Sequence, residues 1–82
     1  MEIRYTRKSE EDFEGLSSEV QRRIAKKMRF YVSHRDPLKF AERLTDYREG
    51  GFRFRIGDWR VIFDVKGGMI FVLRIKHRSK AY

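Results

Sequence analysis

The sequence predicts an α+β fold: a small, mostly meander antiparallel β-sheet with two amino-terminal helices packed on one face. Three observations predict it. Strand-like alternation fills the second half of the chain, as in Phe52-Arg53-Phe54-Arg55-Ile56, and successive side chains of an extended backbone point to opposite faces. Helical spacing marks the first half, where Val20, Ile24, Met28 and Tyr31 fall four, four and three residues apart. Helices that precede a run of antiparallel strands gather on one side of the sheet and leave the other side open.

Each element has a local reason. Glu2-Ile3-Arg4-Tyr5 alternates and reads as a first strand. Thr6 or Ser9 can cap a short helix through Phe13 and Leu16, with acids in its first turns where the helix dipole favours them. Gly15 and Ser17 break it. Ser18-Glu19-Val20-Gln21 has the spacing of a capping box and opens the second helix. The face opposite Ile24 carries Arg22, Arg23, Lys26 and Arg29, and His34 near its end suits the negative pole of the dipole. Pro37 forces the chain out of the helix. Leu38, Phe40 and Leu44 anchor a short helical or irregular connection, and Gly50-Gly51 frees the backbone for strand entry. Strands then run from Phe52 to Ile56, Arg60 to Val65 and Met69 to Ile75. Gly57-Asp58 and Lys66-Gly67-Gly68 form the turns between them.

Composition narrows the function classes. The 82 residues suit one domain spanning 1–82, with seven Phe to build its core. With no cysteine, there is neither a disulfide framework nor a thiolate metal site. His34 and His77 do not lie at metal-ligand spacing, so neither a metal nor a small-molecule cofactor is expected. No apolar run approaches a membrane span and no targeting segment is evident, so a cytoplasmic protein without a membrane partner is expected. Twenty Lys and Arg against twelve Asp and Glu give a net charge of +8, which attracts polyanions. The charge is also directional. Acids gather at Glu10, Glu11, Asp12, Glu14 and Glu19, while Arg74, Lys76, His77, Arg78 and Lys80 end the chain without one.

In the predicted sheet, Phe52, Phe54 and Ile56 share a core face with Val61, Phe63, Val65, Phe71, Leu73 and Ile75. Arg53, Arg55, Arg60 and Arg74 then share the opposite, open face, forming an anion platform on a rigid support.

Phe52-Arg53-Phe54-Arg55-Ile56-Gly57-Asp58-Trp59-Arg60-Val61-Ile62-Phe63, together with Leu73-Arg74-Ile75-Lys76-His77-Arg78 and the terminal Tyr82, resembles the RelE/ParE superfamily of toxin–antitoxin toxins along essentially the whole chain. The resemblance implies a RelE-like fold, a cognate antitoxin, and one of two activities. RelE-like members cut messenger RNA on the ribosome, whereas ParE-like members share the fold but poison DNA gyrase.

Metal-free RNA cleavage requires an aligned 2′-hydroxyl, a base, cations at the phosphoryl oxygens and an acid at the leaving 5′-oxygen. By the resemblance, Arg53 and Arg55 occupy the strand positions of basic catalytic residues, and Arg60 matches the arginine that grips the scissile phosphate. Arg78 matches the late basic residue at the leaving group, and Tyr82 the terminal tyrosine that stacks on a base. Arg74, Lys76 and Lys80 would add RNA contacts. Some members carry lysine as base on this strand. Here both positions are arginine, which holds its proton too tightly to act as one. Glu42 resembles the glutamate base of the YoeB branch, and His77 is a second candidate.

The leading expectation is therefore a ribosome-dependent endoribonuclease toxin acting on messenger RNA. A gyrase poison and a catalytically inactive RNA-binding module are the alternatives. On the first reading, replacing Arg60 removes cleavage and leaves the fold intact.

Overall fold

The computed structural model describes residues 1–45 and 50–81. Strand β1 (Glu2–Tyr5) leads into helices α1 (Arg7–Glu14) and α2 (Ser18–Val32), and a 3-10 turn (Pro37–Phe40) leads to a two-residue strand, β2 (Glu42–Arg43). Strands β3 (Phe52–Ile56), β4 (Trp59–Lys66) and β5 (Met69–His77) follow, and a last 3-10 turn covers Arg78–Lys80. The five strands lie in the order β1-β5-β4-β3-β2. All neighbours are antiparallel except β1, which returns to pair in parallel with β5, Ile3 beside Ile70. Among the described residues, no helix is long and apolar enough to cross a membrane.

The helices form where the sequence places them, with one shift of cap. Thr6 Oγ1 accepts from the Ser9 N–H and so starts α1, while also donating to the Leu73 carbonyl. The cap of α2 is Ser17, not Ser18: its hydroxyl oxygen accepts from the Val20 N–H. With Ser17 as cap, Val20 and not Gln21 holds the third helical position, so no capping box forms; the Gln21 Nε2 instead donates to the Phe13 carbonyl at 2.8 Å, which ties α2 back to α1. Ile24, Met28 and Tyr31 bury the apolar stripe of α2 on the sheet, and Tyr31 stacks on Phe54 with ring centroids 4.4 Å apart. Phe54 in turn stacks on Phe63. This aromatic column joins helix to sheet.

The sheet corrects the predicted phase of β5. Ile62 faces Arg74 across the strands, but Phe63 faces Val72, so Leu73 is an extra residue in a β-bulge. Before the bulge, Ile70 and Val72 point into the core and are fully buried, in place of Phe71 and Leu73. After it the phase is restored and Ile75 points inward as predicted. The run from Met69 to Leu73 is apolar throughout, so no alternation in the sequence marks its phase.

The opposite face is not wholly open. Ile62 belongs to it and is only 2% exposed. Gly50 lies so close above that a Cβ there would stand 2.9 Å from Ile62 and 3.1 Å from Leu73. The Gly51 N–H donates to Asp64 at 2.7 Å and fixes this crossing. Gly50 therefore serves close approach rather than only strand entry.

Where β1 ends, the β5 edge is closed by a side chain. Asp12 on α1 accepts from the Ile75 N–H at 2.9 Å and from the Arg74 guanidinium at 2.8 and 3.3 Å. Partial burial pushes the Asp12 carboxyl up. Hydrogen bonds from Arg74 and Ile75, with the charges of Arg74 and Lys8, outweigh it and hold the group below its ordinary value. A group whose folded value is depressed contributes fully above the ordinary carboxylate range, and that contribution fades as pH falls through it. Asp12→Ala should cost about 2 kcal/mol by removing two charged hydrogen bonds from a half-buried guanidinium and leaving the Ile75 strand N–H without its carboxylate. Chemical denaturation at pH 7 checks this cost, and the difference from wild type should shrink as pH falls through the ordinary carboxylate range.

Candidate functional site

The face of the sheet away from the helices carries a cluster built by strand register. Glu42 pairs with Arg53 and Arg55 with Arg60, and Arg60 pairs with Lys76 on its other side. Residues opposite one another on neighbouring strands project to the same face, so four cations and one carboxylate meet there. Glu42 lies on the edge strand β2, not on a helical connection. Its carboxylate sits 3.4 Å from the Arg53 guanidinium through one oxygen and 3.4 Å from Arg55 Nε through the other. Arg53 is nearly buried, with 12% of its side chain exposed, and Arg55 stands out at 59%. Among the described residues the Glu42 Oε1 atom is shielded from solvent and accepts no hydrogen bond, for the contact to Arg55 is one of charge alone. The Glu42 side chain as a whole is 41% exposed, and an ionised carboxylate can accept a proton or a hydroxyl hydrogen.

Arg60 departs most from expectation. It is 2% exposed, and its guanidinium Nη1 donates to the carbonyls of Gly57 and Trp59, both at 2.9 Å. It is folded onto the β3–β4 turn, where Gly57 takes a positive φ of 59°. In this conformation Arg60 is a strut for the turn and reaches no external phosphate.

The chain end is divided. The Arg78 N–H donates to the Asp58 carbonyl at 2.7 Å and its guanidinium lies 3.7 Å from the Asp58 carboxylate, so the last turn is pinned to the β3–β4 turn. Arg78 remains exposed and lies at the same end of the sheet as Arg60. His77 does not join the cluster. It pairs with Trp59, which pairs with core-facing Ile56, and its ring packs edge-on against Trp59 at 5.3 Å. Its Nδ1 accepts from the Ser79 N–H and caps the last turn. Arg74, read as an RNA contact on the open face, is instead held at the sheet edge by Asp12. Lys76 lies on the cluster's face and Lys80 is exposed in the final turn. Tyr82 lies outside the described residues.

Two residues that sequence reasoning did not assign to the site shape it: Asp58, which holds Arg78, and Asp12, which removes Arg74. Asp58 was legible as a turn residue but not as a counter-ion. No sequence signal links Asp12 to a partner 62 residues away.

With this geometry in view, the relatives become informative. The family model described as the ParE toxin of type II toxin–antitoxin systems matches residues 3–82. Among solved structures, the RelBE2 toxin–antitoxin complex from Mycobacterium tuberculosis contains a chain that superposes with a TM-score of 0.76 at 23% identity, over 94% of this chain and 96% of that one. A chain of the RelB–RelE antitoxin–toxin complex from Methanococcus jannaschii gives 0.73 at 18% identity, over 95% and 93%. At these identities the superpositions establish a shared fold. Comparison with curated protein sequences gives no match.

Replacing Arg60 tests its place in the turn. Arg60→Ala removes two buried hydrogen bonds and should lower stability by roughly 2 to 3 kcal/mol, or on the order of 10 °C in Tm for a chain this size. Arg60→Lys should recover only part, since an ammonium lacks the planar fork. Thermal unfolding followed by circular dichroism reads both, and an unchanged Tm for Arg60→Ala would show that the side chain carries no load in the turn.

Proposed function

Because the chain belongs to the ParE toxin family of type II toxin–antitoxin systems, we propose that this toxin is an endoribonuclease that cuts messenger RNA on the ribosome in the cytoplasm. The observation that carries the reading is the Glu42 carboxylate, 41% exposed and held between Arg53 and Arg55 on a sheet face. Glu42 takes the 2′-hydroxyl proton. Arg55, with Arg53 behind it, stabilises the charge on the phosphoryl oxygens. The 2′-oxygen–phosphorus bond forms as the phosphorus–5′-oxygen bond breaks, leaving a 2′,3′-cyclic phosphate; Arg78 stabilises the charge on the leaving 5′-oxygen, which takes its proton from solvent, and Tyr82 stacks on a base. His77, capping its own turn, orients Arg78 rather than acting as base. No metal enters this scheme; positioning and charge supply the rate.

A cognate antitoxin is the partner that would silence the site. A groove of about 300 Å³ between α1, α2 and β1, lined by Tyr5, Phe13, Ile24 and Met28, suits one apolar edge of such a protein. An acidic segment would complement the arginine face.

One observation favours a second reading. Arg60, the residue matched to the phosphate grip, is buried and bound to backbone. A toxin that blocks gyrase by surface contact has no need to release it.

Cleavage of messenger RNA on programmed ribosomes separates the two. Wild type should cut, and Glu42→Gln should slow cutting on the order of 10² to 10⁴-fold, the range of general base catalysis, with Tm little changed. If wild type leaves messenger RNA whole but accumulates gyrase-bound broken DNA, the gyrase reading replaces the first.

A further inference from the structure

The carboxyl-terminal end of α2 carries a second feature that the arginine cluster does not explain. Phe30 is 48% exposed, the largest value among the exposed large hydrophobics of the described residues. It does not stand alone. Its ring centroid lies 4.6 Å from His34 and 5.5 Å from Phe40, and His34 lies 4.9 Å from Phe40. Single exposed apolar side chains are ordinary on protein surfaces, but Phe30 is the outermost ring of a platform whose other members, His34 and Phe40, are half-buried and meet it at 62° and 55°. Two lysines lie over its rings: Lys27 Nζ over Phe30 at 5.6 Å from the centroid, and Lys39 Nζ over Phe40 at 5.3 Å.

The platform is held rigid from below. Tyr31 stacks on core residue Phe54 and packs against both Phe30 and Phe40. The His34 Nδ1 donates to the Phe30 carbonyl at 2.8 Å, which orients the imidazole and assigns Nε2 as the acceptor in the neutral ring. The surrounding charge is one-sided. From Val20 to Ala41 the sequence has seven Lys or Arg and one acid, Asp36. The Asp36 carboxylate accepts from the Leu38 N–H.

We propose that this platform is a stacking site for single-stranded nucleic acid, distinct from the Glu42–Arg53–Arg55 cluster. Rings that accept the π-face of any base, bordered by cations that follow the phosphate chain, are the physical requirements for binding an unpaired strand. A duplex offers no exposed base faces to such a site. The inference concerns binding and stands apart from whether the chain cuts RNA.

The experiment measures fluorescence anisotropy of labelled 12-nucleotide unstructured strands, one ribose and one deoxyribose, with a duplex of equal charge beside them. Phe30→Ala should weaken the bound single strand about tenfold, the order expected for one stacked base, while lowering Tm by only about 5 °C, and Phe30→Trp should restore it. The duplex should be little affected. Lys27→Ala should reduce the slope of affinity against salt by roughly 0.7. The ribose and deoxyribose arms distinguish RNA from DNA as the source of the strand. The proposal is overturned if Phe30→Ala leaves single-strand affinity unchanged, or weakens strand and duplex alike. Loss of antitoxin binding with strand affinity intact also overturns it and makes the rings a protein contact. These binding measurements use free strands without ribosomes, so a failure of the cleavage reading is separable from a failure of this one.

Discussion

The extra residue in β5 sets the geometry on which the rest of the sheet depends. Without Leu73 as a bulge, the strand that begins with Ile70 and Val72 in the core would present Arg74 to the core as well. Burying an unpaired guanidinium there would cost several kcal/mol. The bulge turns the strand, returns Ile75 to the core and brings Arg74 to Asp12 at the edge that β1 leaves uncovered. The same carboxylate satisfies the Ile75 N–H, so a single side chain closes an edge and neutralises a cation. Thr6, donating to the carbonyl of Leu73 itself, anchors the start of α1 to the same point.

Charge on this small body is paired more locally than its net value of +8 suggests. Asp12 holds Arg74, Asp58 holds Arg78, and Glu42 serves two arginines at once. The exposed pairs contribute little to stability, but they decide which cations face outward and at what angle. Arg55 and Arg78 stand well into solvent, whereas Arg53 is largely covered and Arg60 is enclosed. A basic face thus resolves into a graded set: outward cations for a polyanion, covered ones that hold a carboxylate or a turn in place.

The arginine cluster and the ring platform use different physics. The first is a sheet surface, where register fixes spacing and charge dominates. The second lies at a helix end and works through flat apolar area bordered by lysine. Tyr31 and Phe54 connect the platform to the core beneath the sheet, and Phe40 lies two residues before Glu42 in the chain.

The sequence by itself determined the α+β class, the stripe of α2, the two hairpins, the superfamily and the gathering of Arg53, Arg55 and Arg60 on one face. Each follows from period, turn chemistry or a compact motif, all local properties of the chain. Glu42 was legible as a residue but not as a strand, because two residues carry no period. Tertiary structure alone decided the phase of β5, since an apolar run reads equally well in either register. It also decided the fate of each cation. Arg60 and Arg55 look alike in an alternating strand pair, yet one is locked to carbonyls of its own turn and the other faces solvent. That difference arises from partners brought near by folding, as does the clasp of Asp12 on Arg74, and no spacing along the chain encodes it.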